Sequence, residues 1–104
     1  MEKVKNAGKV AVLYSPGFGA GWSTWAKEKY KEALCMDARI VQPFLDGNKE
    51  DALEAALELF PGVYTGGFRQ CTIKWIDEGS EFEIQEYDGS ESIHIIGERK
   101  YLVA

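Results

Sequence analysis

The sequence predicts an α+β fold: a mainly antiparallel sheet with two helices packed on one face and a C-terminal β-meander. Three observations carry that expectation. A short apolar run, KVAVLYS at 9–15, is bounded by Gly8 and Pro16. Two stretches that follow carry apolar residues at helical spacing, and beyond Tyr64 the pattern changes to strict alternation. The length of 104 residues fits one domain at 1–104, large enough to bury a core without a metal or disulfide staple.

Taken in order, 9–15 is rich in strand formers and short enough to be a buried strand. It runs into the loop Pro16-Gly17-Phe18-Gly19-Ala20-Gly21 and then into Trp22-Ser23-Thr24-Trp25. Ser23 or Thr24 is the expected N-cap of a helix over 26–38, with Tyr30, Ala33 and Leu34 inward and the Lys and Glu residues outward. The segment RIVQPFL at 39–45 reads as a short strand that Pro43 confines to an edge. Asp46-Gly47-Asn48 is a turn. Asn48 caps a second helix over 49–60, which puts Ala52, Leu53, Ala56, Leu57 and Phe60 on one side, and Pro61-Gly62 stops it. The alternating runs at 69–76, 81–87 and 91–96, separated by turns at 77–80 and 88–90, predict an antiparallel meander of two hairpins. Residues 98–103 are expected to add a last strand.

Composition excludes several functions. With 17 acidic against 12 basic residues and a net charge of -5, the chain lacks the cations that polymeric nucleic acid demands. The longest apolar runs, 10–14 and 93–96, fall far below the roughly 20 residues needed to cross a bilayer, and the start MEKVKNAGK has no signal-peptide core. A cytoplasmic protein with no membrane partner is expected. Cys35 and Cys71 have neither CxxC spacing nor surrounding histidines, which predicts two reduced, buried thiols and no metal site.

The strand, glycine loop and helix start form the strongest local feature. Glycines let a backbone approach a ligand closely, and free N–H groups ahead of a helix attract anions. Gly17, Gly19 and Gly21 have GxGxG spacing instead of the dinucleotide fingerprint GxGxxG, and no Walker lysine follows. The alternative is a tight irregular turn. Tyr14, Phe18, Trp22 and Trp25 crowd the same stretch, so a flat ring could stack there while N–H groups near Ser23 hold its phosphate. Phe18 and Trp22 are the expected exposed pair, with Tyr14 and Trp25 packing the helix on the sheet.

A second loop, Tyr64-Thr65-Gly66-Gly67-Phe68-Arg69, combines paired glycines with aromatics and a cation. Arg69 is the best candidate for a forked phosphate contact, and a salt bridge to an acidic residue is the competing explanation. The two loops are expected to converge. The segment Glu86-Tyr87-Asp88-Gly89-Ser90-Glu91-Ser92 either holds ribose hydroxyls through its carboxylates, with Tyr87 and Asp88 among the contacts, or is a plain hairpin turn. His94 stands in a strand pattern beside Ser92, where a neighbour satisfies it. With no nucleophile, base and orienting acid selected by spacing, the chain is expected to be non-enzymatic and to use no cofactor.

The residues YSPGFGAGWSTW at 14–25, YTGG at 64–67 and EYDGSESI at 86–93 resemble a widespread family of small proteins encoded by tailed bacteriophages and prophages. The resemblance covers both ends of the chain and leaves 26–60 undetermined. In size and in carrying its motifs in loops, that family is similar to phage anti-defence sponges, which sequester nucleotide signals of immune systems such as Thoeris, CBASS and Pycsar. The similarity implies a protein that sequesters a small anionic nucleotide, a cyclic nucleotide or an ADP-ribose derivative, and supplies no binding residue of its own; because a domain of this length offers few deep pockets, the ligand is expected between subunits of a homo-oligomer. The alternative is an acidic phage protein that inhibits a host or phage protein through exposed aromatics. A nucleotide hydrolase has the least support.

Overall fold

The computed structural model describes residues 1–96 and 102–104. Six strands, β1 (Lys5–Asn6), β2 (Lys9–Tyr14), β3 (Thr72–Asp77), β4 (Glu81–Tyr87), β5 (Ser90–Ile95) and β6 (Leu102–Val103), accompany three helices, α1 (Glu28–Met36), α2 (Ala38–Leu45) and α3 (Lys49–Leu59). The strands form two antiparallel three-stranded sheets, ordered β1-β2-β3 and β5-β4-β6. The fold class is therefore α+β, with three helices instead of two and two small sheets instead of one.

Strand β2 is buried on both faces, with Val10, Ala11, Val12 and Leu13 all fully inaccessible. Its alternation sorts them into two cores. Ala11 and Leu13 join Trp22, Leu34, Ile40, Val41, Ala52 and Ala56 beneath the helices. Val10 and Val12 face the other way, toward Cys35, Met36, Ile76 and Phe82. A continuous apolar run is the signature of a strand covered on both sides.

Residues 39–45 are a helix, not the strand expected. Asp37 caps it, its side chain accepting from the Arg39 amide at 2.9 Å. Ile40, Val41 and Phe44 then fall on the face that meets α3 and the first core. Two β-branched residues in a short run argued for a strand, with Pro43 confining it to an edge, but the i, i+1, i+4 spacing of Ile40, Val41 and Phe44 is that of a helix face. Burial of that face outweighs the cost of Pro43, about 3 kcal/mol in a helix interior.

Helix α1 starts at Glu28, later than expected. Its N-cap is Lys27, and neither Ser23 nor Thr24 caps it, because Ser23–Trp25 form a separate 3₁₀ turn. Asn48 is the N-cap residue of α3 but makes no side-chain capping bond.

The expected meander is only half formed. β3 pairs with β2 from Thr72↔Tyr14 to Asp77↔Lys9, while β4 pairs with β5. The turn at 77–80 therefore carries the chain between sheets, and its amides bond outside a hairpin, Glu78 to the Gly8 carbonyl and Gly79 to the Ala104 carbonyl. Packing decides this. Phe82 and Ile84 are needed in the second core, whereas Ile73 and Trp75 belong to the first. The β4–β5 hairpin is formed as expected, with positive φ at Asp88 (50°) and Gly89 (84°), the geometry that favours Asp-Gly in two-residue turns. Residues 69–71 precede β3, Phe68–Gln70 being a 3₁₀ turn. The expected last strand is present at Leu102–Val103, paired with β4; its remaining residues lie outside the described set.

Candidate functional site

The three motif loops meet at one end of the molecule. The Gly19 amide donates to the Asp88 carbonyl at 2.9 Å, and the Ser90 hydroxyl donates to the Pro16 carbonyl at 2.7 Å. Gly67 packs against the Ala20 and Gly21 carbonyls so closely that a Cβ there would collide with backbone, and a Cβ on Gly89 would collide with Ala20. Glycine is required at both positions by approach of main chain to main chain. The expected convergence of 17–22 with 64–69 is thus present, and the 87–90 turn joins it.

A carboxylate from β5 is the centre of this arrangement. Glu91 is 2% exposed, and its two oxygens accept four hydrogen bonds. Oε1 takes the Ser15 amide at 2.8 Å. Oε2 takes the Trp22 amide at 2.7 Å, the Thr24 amide at 3.1 Å and the Thr24 hydroxyl at 2.6 Å. The Glu91 amide in turn donates to the Ser15 carbonyl at 2.7 Å. The four ion pairs among the described residues do not include Glu91, and these donors offset the loss of hydration of a buried charge.

This revises the expected phosphate cradle. The amides of Trp22 and Thr24 do point at an anion, but that anion is Glu91. The Gly19 amide is engaged by Asp88. Gly21 is buried beneath Thr24 and Trp25, and Ser23 is 2% exposed. Gly17 lies against the Gln70 side chain.

Trp22 is also not the exposed stacking face expected. It is fully buried, its indole N–H donates to the Leu34 carbonyl at 2.8 Å, and its ring packs on Phe68 with centroids 5.4 Å apart. A buried indole needs both apolar contact and an acceptor, and the end of α1 supplies them. Trp25, expected in the core, is instead 41% exposed. Its ring lies 5.3 Å from that of Tyr64, at 39°, and Tyr64 folds back over Gly66. Tyr14 is half-buried. Phe18 is exposed as expected, at 67%, and Tyr87 is more so, at 79%.

Trp25 and Tyr64 border a recess of about 290 Å³, with Tyr30 and Lys27 on one side and the Pro61–Val63 bend on the other. A second recess, of about 340 Å³, lies by Ser23, Thr24 and Glu83, and its polar wall holds the Glu28–Lys31 ion pair at 3.2 Å. Arg69 is exposed in the 3₁₀ turn before β3 and forms no ion pair among the described residues.

Groups suited to acid–base chemistry are dispersed. His94 is exposed and bonds to Ser92 across 3.0 Å, the neighbour expected. Cys35 and Cys71 are buried free thiols, and burial pushes both well above the ordinary thiol range. Among the described residues no three His, Cys, Asp or Glu side chains cluster as metal ligands would. No helix among them is long and apolar enough to cross a membrane.

Glu91 is the residue that sequence reasoning did not single out, and the signal was present. In ESIHII it shares the inward phase of β5 with Ile93, an acidic residue where alternation demands an apolar one. Fold and site together define an α+β domain whose loops are clasped by an internal carboxylate and present aromatic side chains outward. Comparison with protein-family models, with curated proteins and with solved structures gives no match.

Proposed function

We propose that the protein is a non-catalytic binding module that captures a small anionic nucleotide at its aromatic loop end, with the base held at the Trp25–Tyr64 recess. The observation that carries this reading is the pair of half-exposed rings lining a recess with a lysine at its rim. At about 290 Å³ the recess sits at the lower limit of the roughly 300 to 1,000 Å³ typical of ligand pockets, so it admits a base and leaves the phosphates outside. Lys27, which lines the recess, is the cation at hand for such phosphates. The resemblance to small phage proteins supports reading the capture as sequestration of an immune signal in the bacterial cytoplasm.

A second reading has its own observation. Phe18 and Tyr87 project from the assembled loops with most of their surface exposed, and exposed aromatic residues are enriched at protein interfaces. In that reading the acidic protein inhibits a host or phage protein.

Native mass spectrometry with a panel of cyclic nucleotides and ADP-ribose derivatives separates them. The nucleotide reading expects an intact ligand adduct on the wild type. Trp25→Ala should weaken it by roughly five-fold or more, since a stacking face contributes about 1 to 3 kcal/mol. No adduct with any member, together with a protein partner lost in Phe18→Ala, would replace this reading by the second.

A further inference from the structure

We infer that the free edge of β5 pairs with β5 of a second copy of this chain, making an antiparallel dimer about a two-fold axis at His94. The inference is independent of which ligand the aromatic loops take.

The hydrogen-bond phase of β5 fixes which groups face outward. The Ile96 amide bonds to the Glu81 carbonyl, on the β4 side, whereas the Glu91 amide bonds away from β4, to the Ser15 carbonyl. Alternation then directs the amides and carbonyls of Ile93 and Ile95 away from β4 as well. Order β5-β4-β6 leaves no strand on that side, and neither amide has a partner among the described residues.

The side chains point to a second copy. Natural edges are guarded by charge, by proline or by brevity. β1 and β6 are two residues long, and β3 carries exposed Lys74 and Asp77. β5 has none of these guards, because its one charged residue, Glu91, is buried in the loop clasp. Two chains of net charge -5 repel one another, and among the described residues the outward part of β5 carries no carboxylate or ammonium group.

The register is self-complementary. With His94 on the axis, Ile93 of each copy stands opposite Ile95 of the other, and both pairs exchange amide and carbonyl bonds. Ile95, 61% exposed, then covers the partly buried Ile93 of the second copy, joining four isoleucines on one face. A register shifted toward the start of β5 would use the Glu91 amide, which Ser15 already occupies.

Analytical ultracentrifugation across a concentration series, with Ile95→Pro and Ile95→Lys alongside the wild type, tests this. Proline at 95 deletes an outward amide and spares the bonds between β4 and β5. The wild type should dimerise reversibly. Ile95→Pro should raise the dissociation constant by roughly ten- to a hundred-fold, since two symmetry-related hydrogen bonds are lost. Ile95→Lys should also give monomer, by setting an ammonium group against the apolar Ile93 of the second copy. Amide exchange at Ile93 and Ile95 in the wild type supplies a reading that needs no variant: it should slow as protein concentration rises. A wild type that stays monomeric, an assembly that survives both folded variants, or exchange at these amides that ignores concentration would overturn the proposal.

Discussion

Replacing Glu91 by glutamine removes one acceptor from a site where four donors converge. The surviving oxygen must take the Oε2 position, because three donors meet there, from the Trp22 amide, the Thr24 amide and the Thr24 hydroxyl. The amide nitrogen then faces the Ser15 N–H, donor against donor. One hydrogen bond to a charged acceptor is lost, about 1.5 to 3 kcal/mol, and the three that remain weaken from charged to neutral. Relief of the desolvation of a buried carboxylate offsets part of this. The expected cost of Glu91→Gln is therefore about 3 kcal/mol, a large share of the roughly 5 to 15 kcal/mol that a domain of this size has. Urea unfolding followed by tryptophan fluorescence measures it. With a slope of about 1 to 3 kcal/mol per molar, the midpoint should fall by about 1 M or more. Thr24→Val should cost less, on the order of 1 to 2 kcal/mol, because the Thr24 amide keeps its bond. The double variant should lose less than the sum, since both changes disable one site. A Glu91→Gln protein within about 0.5 kcal/mol of wild type, the spread of an ordinary surface substitution, would refute the idea that this carboxylate holds the motif loops together.

Two further outcomes follow from other buried groups. Hydrogen bonds from the Arg39 side chain hold the Asp37 carboxyl below its usual range, so folding favours its charged form. That contribution is fully present above the unfolded value of about 3.9 and is lost as pH falls through the lower folded value. Between pH 6 and pH 3 the wild type should therefore lose more stability than Asp37→Asn does, and parallel losses in chemical denaturation would remove Asp37 from the acid response. Desolvation keeps the thiols of Cys35 and Cys71 protonated, so at pH 8 neither should react with a disulfide reagent until denaturant is added; rapid labelling of either in the folded protein would contradict its burial.

What was legible in the sequence was local and periodic. KVAVLY announced a buried strand because Val10 to Leu13 form an unbroken apolar run, and Asp88-Gly89 announced a hairpin because two positive φ angles select that dipeptide. RIVQPFL reads as a strand from its short length and its β-branched Ile40 and Val41, but alternation would put Val41 on the opposite face from Ile40 and Phe44, and packing against α3 selects the helix that keeps all three together. The pairing of β3 was also out of reach. Its alternation fits any antiparallel neighbour, and the choice of β2 over β4 depends on which core needs Phe82.

The candidate site shows the same division at closer range. Glycine spacing and aromatic density marked the loops that assemble, and they do assemble. Which aromatic faces outward was not marked, because Trp22 precedes and Trp25 ends the 3₁₀ turn Ser23–Trp25, whose orientation the sequence leaves open. Burial of Trp22 follows from an acceptor twelve residues away, the Leu34 carbonyl, and exposure of Trp25 follows from Tyr64 in another loop. The donors of the glycine loop are the deeper case. A row of N–H groups after a glycine turn signals an anion, and the signal was sound, but the anion comes from the same chain 69 residues later. A buried carboxylate in that position makes the loop conformation depend on the β5 strand that carries it. The loop end and the β5 edge are therefore linked through Glu91: its side chain holds the loops, its amide holds Ser15 just after β2, and the strand beyond it turns the amides of Ile93 and Ile95 outward.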